Sequence, residues 1–202
     1  MQVNSLVKCS EFPCQDVRHE NYITPEIELK PDHISMIMIS EAAPANLSDY
    51  YYSGMGSLFQ QTTLQAFADA GVEVSSIGDL LAMGVYLTTA VKCGKTGYNI
   101  ETGTVQACSH LLEKELALFP NVKVYMLMGD VAIKAFNAIA RRAGEGRVIP
   151  IGATYKIRSG DYFFRGRKVF PSYLQAGPSF FIEKSKRKMI AEDIAAALML
   201  IR

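Results

Sequence analysis

Residues 33–44 read HISMIMISEAAP. His33–Ser40 is a short, mostly apolar run of strand length, apolar on both alternating positions. Such a run predicts a strand covered on both faces, the pattern of a parallel sheet. A carboxylate, Glu41, follows it directly, and then come small residues and Pro44. Three further runs repeat the pattern: Val85–Val91, Val122–Met128 and Lys168–Leu174.

Stretches of helical period lie between these runs. Ser57–Ala70 is apolar at Leu58, Phe59, Leu64, Phe67 and Ala68, and Gly71 stops it. Thr104–Phe119 is apolar at Val105, Cys108, Leu111, Leu112, Leu116 and Phe119, and Pro120 ends it. Val131–Arg142 has Asp130 as its expected N-cap and Gly144 beyond its end. A long final helix, with Ser179 as its expected cap, carries Met189, Ile190, Ile194, Ala197, Leu198 and Ile201 on one face. Strands alternating with helices predict the α/β class. The expected architecture is one domain over residues 1–202, three layers α/β/α around a central, mostly parallel four-stranded sheet. In such sheets ligands bind beyond the carboxyl ends of the strands.

Composition narrows the function classes. Of 202 residues, 49% are apolar and 20% charged, an ordinary balance for a packed domain. The longest apolar stretch is far short of the roughly 20 residues that span a bilayer, so no membrane association is expected. The N-terminal MQVNSLVKCSEFPC lacks a basic segment followed by an apolar one, so a cytoplasmic location is expected. No Gly-x-Ser-x-Gly elbow or Gly-x4-Gly-Lys loop occurs, which argues against a serine hydrolase or a P-loop enzyme. His19, His33 and His110 are paired with no nucleophile and read as structural or surface residues.

Cys9, Cys14, Cys93 and Cys108 form two pairs, Cys-x4-Cys and Cys-x14-Cys. In a reducing compartment, clustered cysteines are ligands or reactive groups more often than disulfides. The spacing suits one centre that ties the N-terminus to the middle of the domain. Four thiolates hold an iron–sulfur cluster; a structural zinc ion takes the same four; four separate buried thiols are the plainer alternative.

The net charge of +1 hides an asymmetry. Residues 1–133 hold 7 Lys and Arg against 15 Asp and Glu, and residues 134–188 hold 13 against 3. The second segment predicts a basic surface for a polyanion, against the alternative that its charges point in several directions.

The strand ends carry the remaining signal. They include ISEAAP (39–44), YYYSGMGSLF (50–59), VYLTTAVKC (85–93), TVQACSHLL (104–112), VYMLMGDVAIKAF (124–136) and VFPSYLQAGPSF (169–180). In this order the series resembles the uracil-DNA glycosylase superfamily, closest to its iron–sulfur branch, families 4 and 5. The likeness runs over roughly residues 7–200. It implies a DNA base-excision glycosylase-like hydrolase that cleaves the N-glycosidic bond of a damaged or modified base. It also implies a 4Fe-4S cluster on Cys9, Cys14, Cys93 and Cys108, with zinc as the alternative. DNA is the implied partner, and a monomer is expected. The Cys-x4-Cys pair departs from the Cys-x2-Cys usual in family 4.

The resemblance also assigns roles to single residues. Glu41 matches the acidic residue that positions or activates water, and Ala43 follows it in the pocket wall. Tyr52, or Tyr51, stands where a Phe stacks on the flipped base, and Gly54 lies in the turn beside it. Thr89 replaces the Asn that reads the pyrimidine edge. The family His of the last motif is missing, with Leu174 or Gln175 in its place; Gln175 is the expected donor to the departing base. Lys184, Lys186, Arg187 and Lys188, beside Ser179, are the expected DNA contacts. Retained Glu41 favours an enzyme. The missing His and Thr89 favour a catalytically weak or inactive iron–sulfur nucleic-acid-binding protein of the same fold. A hydrolase of small nucleosides is a third reading, opposed by the basic segment.

Overall fold

A computed structural model describes residues 1–201. Its strands are β1 (Val17–Arg18), β2 (Met36–Ala43), β3 (Val85–Lys95), β4 (Val124–Met128), β5 (Tyr162–Phe164) and β6 (Arg167–Ser172). Its helices are α1 (Val3–Leu6), α2 (Leu58–Asp69), α3 (Ile77–Ala82), α4 (Thr102–Leu116), α5 (Asp130–Arg142), α6 (Thr154–Ile157), α7 (Ser179–Ile182) and α8 (Lys184–Met199). The strands form one mixed sheet in the order β1-β3-β2-β4-β6-β5.

The sheet therefore has six strands, where four were expected. The four expected ones, β3, β2, β4 and β6, run parallel to their neighbours, and the additions are antiparallel edges. Both additions are too short to show a period: β1 has 2 residues and β5 has 3. β5 turns into β6 through Arg165 and Gly166, both left-handed at φ 50° and 76°. A two-residue turn of this kind matches strand twist, but Arg-Gly is a weak sequence signal for it. Pro171 fits within β6 because the edge hairpin stops short of it. β5 pairs only as far as Val169, so the missing N–H of Pro171 faces no partner strand.

Alternation sorts the central strands into two cores. Ile37, Ile39, Tyr125, Leu127 and Val169 pack with Val105 and Leu112 of α4 and Phe136 and Ile139 of α5. Met36, Met38, Leu87, Val124 and Met126 pack with Phe59 and Phe67 of α2, Leu80 of α3 and Ile190 and Ile194 of α8. The expected α/β/α layering follows from this alternation.

Two capping expectations are corrected. Asp130 is the first residue of α5, and Gly129, at φ 100°, precedes it as N-cap; the Asp130 side chain instead pairs with Lys134 one turn on. Ser179 does not cap the long final helix. It opens the single turn α7, and Glu183, at φ −94° and ψ 75°, breaks the chain before α8 begins at Lys184.

The helices after β2 lie on one face of the sheet, and those after β3 and β4 lie on the other. Chain direction across the sheet thus reverses between β2 and β4. That is the switch point where α/β sheets open a crevice, and Glu41 and Gly129 stand on its two sides.

Candidate active site at the switch point

Glu41 follows Ile37 and Ile39 on the α4/α5 side of β2. A Cβ added at Gly129 would fall 2.6 Å from its Oε1 and 2.9 Å from its Cγ. The carboxylate therefore occupies the space a side chain at residue 129 would take, at the N-terminus of α5. Backbone N–H groups and the helix dipole there favour a negative charge by about 0.3–1 kcal/mol, more when partly buried. Lys95 at the end of β3 holds the other side, with Nζ 3.5 Å from Oε2. Glu41 keeps 17% of its side chain exposed, so it remains in reach of water.

The remaining expected base-contacting residues lie on the α2/α8 side, over the ends of β2 and β3. Ser40 and Thr89 are register partners. Tyr51, not Tyr52, reaches Ser40: its hydroxyl is 2.7 Å from Ser40 Oγ and accepts from Gln175 Nε2 at 3.1 Å. Its ring packs on Phe59 at 5.2 Å between centroids. Burial raises the Tyr51 hydroxyl pKa, although Ser40 and Gln175 oppose the shift, so the phenol stays protonated. Two fully buried polar atoms in this group, Thr89 Oγ1 and Gln175 Oε1, have no hydrogen-bond partner. Orphaned buried polar atoms are uncommon and call for a partner.

Tyr52 has a different task. Its hydroxyl donates to Leu87 O at 2.9 Å and accepts from Leu87 N at 3.1 Å. It thereby satisfies the edge of β3 where β1 does not reach. Gly54 and Gly56, at φ 114° and 90°, turn the chain outward and leave Met55 fully exposed. Ala43 is buried beside Gly94 at a bulge in the β2–β3 ladder.

The expected DNA contacts are only partly available. Arg187 pairs with Asp69 and Lys186 with Glu183, whereas Lys184, Lys188 and Ser179 are exposed. The basic segment is extensively paired within the protein. Lys134, Arg142, Arg158, Arg165, Lys168, Lys186 and Arg187 all form ion pairs among the described residues.

The four cysteines act on one another. The Cys93 thiol is pushed up to about 12, first by burial and then by Cys108, Cys14 and Cys9. Two sulfurs accept backbone N–H groups: Cys9 from Phe12 at 3.4 Å and Cys108 from Lys92 at 3.5 Å. Phe12 takes the left-handed φ of 45° in the turn between Cys9 and Cys14, and its ring packs on His19 and Tyr22. Among the described residues, no group of three or more His, Cys, Asp or Glu is gathered tightly enough to hold a metal ion.

Sequence reasoning missed the buried network behind Thr89. Lys92, wholly buried, donates to Thr88 Oγ1 at 2.7 Å and Thr89 O at 2.6 Å, and pairs with the equally buried Glu115. Glu115 also accepts from Tyr86 at 2.6 Å and Thr88 at 2.8 Å. A lysine inside a buried strand and a glutamate on the apolar side of α4 were the available signals.

The family model described as Uracil DNA glycosylase superfamily matches residues 28–195. A type-5 uracil-DNA glycosylase of Thermus thermophilus is 31% identical over 99 residues, 49% of this chain and 45% of that protein. The chain thus spans less than half the length of that relative. A crystal structure of wild-type UNG from Nitratifractor salsuginis aligns with 86% of this chain and 76% of its own, at 14% identity and a TM-score of 0.38. The family match takes in Glu41, Tyr51, Thr89, Gly129 and Gln175, and it covers most of the chain. The chain belongs to the uracil-DNA glycosylase superfamily.

Proposed function

We propose that the protein is a cytoplasmic, monomeric DNA glycosylase that releases a damaged or modified base by hydrolysing its N-glycosidic bond. The observation that carries this reading is the placement of Glu41. A carboxylate reachable by water is held by Gly129 and Lys95 at the switch point. Across the strand ends lie two buried polar atoms without partners, Thr89 Oγ1 and Gln175 Oε1.

The chemistry follows from these groups. An enzyme of this kind takes the base out of the stack. As the bond from base to sugar lengthens, its electron pair leaves with the base and the sugar gains oxocarbenium character. Glu41 stabilises that positive charge, orients a water molecule toward the anomeric carbon and takes its proton. The Thr89 hydroxyl, and the Nε2 hydrogen of Gln175 that is not given to Tyr51, donate to the departing base, where negative charge collects. Donors aimed at developing charge lower such barriers by roughly 3–4 kcal/mol each. Thr89 offers one hydroxyl where an Asn would offer donor and acceptor, so discrimination among pyrimidines is weaker than with Asn.

Cys9, Cys14, Cys93 and Cys108 would hold a 4Fe-4S cluster. Zinc is the alternative occupant of the same four thiolates. The N–H groups of Phe12 and Lys92 on the Cys9 and Cys108 sulfurs suit thiolate ligands. Held by these four residues, such a cluster would tie residues 9–14 to β3 and α4; base release is the work of Glu41 and its neighbours.

A second reading is a nucleic-acid-binding protein with little or no turnover. The position of Tyr51 favours it, because the phenol already bridges Ser40 and Gln175. A panel of oligonucleotides, each carrying one modified base and scored for abasic sites, decides between the two. Release of any base, lost in Glu41→Gln while DNA binding persists, establishes the enzyme; silence across the panel leaves the binder.

A further inference from the structure

We propose that Ser172 and Asp193 are positioning residues of the base-release site, which together hold the turn at Gly129 and so set where Glu41 stands. This rests on the glycosylase reading above and adds two residues to its site. Ser172 is the last residue of β6 and is fully buried. Its hydroxyl donates to Asp193 Oδ2 at 2.5 Å. Its carbonyl accepts from Gly129 N at 3.0 Å. Gly129 in turn leaves the space that the Glu41 carboxylate fills. An unbroken path of contacts therefore runs from α8 through the end of β6 to the acid. Three residues beyond Ser172 the chain reaches Gln175, so the other half of the site hangs on the same strand end.

Asp193 is itself fixed. It belongs to the buried face of α8 with Ile190 and Ile194. Arg158, in the chain between α5 and β5, grips it twice: Nη2 lies 2.7 Å from Oδ1, and Nε donates to Oδ2 at 3.2 Å. The same guanidinium donates to Met189 O at 2.8 Å and pairs with Glu192 at 3.0 Å. Burial pushes the Asp193 carboxyl up, while Arg158 and Ser172 pull it back. A carboxylate at this depth is a poor choice for stability alone, since apolar residues in place of a buried ion pair are often as stable or more so. What the pair supplies is direction. Two parallel hydrogen bonds from a planar guanidinium give the carboxylate one orientation, and Ser172 is the group it then meets. Such support matters because a catalytic group misplaced by about 1 Å loses roughly 100-fold in rate.

The test is single-turnover base release by Ser172→Ala, Asp193→Ala and the double variant, on an oligonucleotide carrying the base that the parent releases. All are compared with the parent at a temperature where circular dichroism shows each one folded. Each single variant should release the base at least about 10-fold more slowly, with DNA affinity changed by less than about 2-fold. The double variant should be no slower than the slower single one, because both substitutions break the same bond. Ser172→Ala leaves the Arg158–Asp193 pair whole, so it tests the link even if Asp193→Ala fails to fold. A second readout does not involve activity: amide hydrogen exchange at Gly129, followed by NMR, should quicken about 5-fold or more in Ser172→Ala. An active parent with parent-like release by Ser172→Ala, additive slowing in the double variant or unchanged exchange at Gly129 overturns this proposal alone. A parent that releases no base from any oligonucleotide sinks the glycosylase reading, and the positioning role falls with it.

Discussion

The carboxylate of Glu41 fills the space in which a Gly129 side chain would stand, with Oε1 only 2.6 Å from the Cβ position. The two residues are far apart in the chain and meet because β2 and β4 are neighbours at the switch point. Gly129 serves two needs at once: a left-handed φ of 100° at the turn into α5, and room for the acid. Gly129→Ala should therefore cost about 1–3 kcal/mol from the backbone alone. It should also lower base release by at least about 10-fold, since the acid must move. Urea denaturation reads the first effect and single-turnover excision the second. Full excision by a destabilised variant would separate Glu41 placement from catalysis.

Lys92 and Glu115 form an ion pair with both side chains fully buried. Removing one partner strands the other charge away from water, at a cost of about 3–5 kcal/mol. Lys92→Met and Glu115→Leu should each be strongly destabilising. The double variant Lys92→Met/Glu115→Leu should lose much less than the sum of the single losses, because no charge is left buried. Urea midpoints of the four proteins complete the cycle; additive losses would show that the two groups do not depend on each other.

Asp69 and Arg187 clamp the end of α2 to the start of α8. The guanidinium hydrogen bonds hold the Asp69 carboxyl below its usual value of 3.8, outweighing burial. A lowered folded-state pKa means that the contribution is fully present above the unfolded value and is lost as pH falls through the folded one. Asp69→Asn should be less stable than the parent by up to about 1 kcal/mol at neutral pH. The difference should shrink below pH 3.8, as the parent carboxyl takes up its proton. Thermal unfolding of both proteins from neutral to acid pH measures it, and a gap that does not close removes the ion pair as its cause.

Anaerobically prepared protein should be brown and contain iron and sulfide. Cys93→Ser should lose most of the iron, because one of four ligands is gone and its site is buried. Chelation should loosen residues 9–14 and expose them to limited proteolysis, while the central sheet persists. Colourless protein with stoichiometric zinc would transfer the four thiols to zinc.

The layers were legible because burial on two faces leaves continuous apolar runs. HISMIMIS and its three counterparts needed no partner to be read as core strands. The edges were not legible: β1 and the β5 hairpin are held by pairing and by a turn whose Arg165 accepts a left-handed φ against its preference. Glu41 stood out because an acid at the end of an apolar strand is unusual. Tyr51 and Tyr52 could not be told apart in a run of three tyrosines. Only packing turned one hydroxyl toward Ser40 and Gln175 and the other toward Leu87.

Periodicity and the order of strand-end motifs, both local along the chain, were enough for fold class and family. Pairings between distant residues came from the tertiary structure: Glu41 with Gly129 and Lys95, Lys92 with Glu115, and seven cations of the basic segment with their acids. The physical reason is that charge and polarity act through space. A sequence gives the number of lysines and glutamates, but only the folded chain fixes which are spent on each other and which remain free.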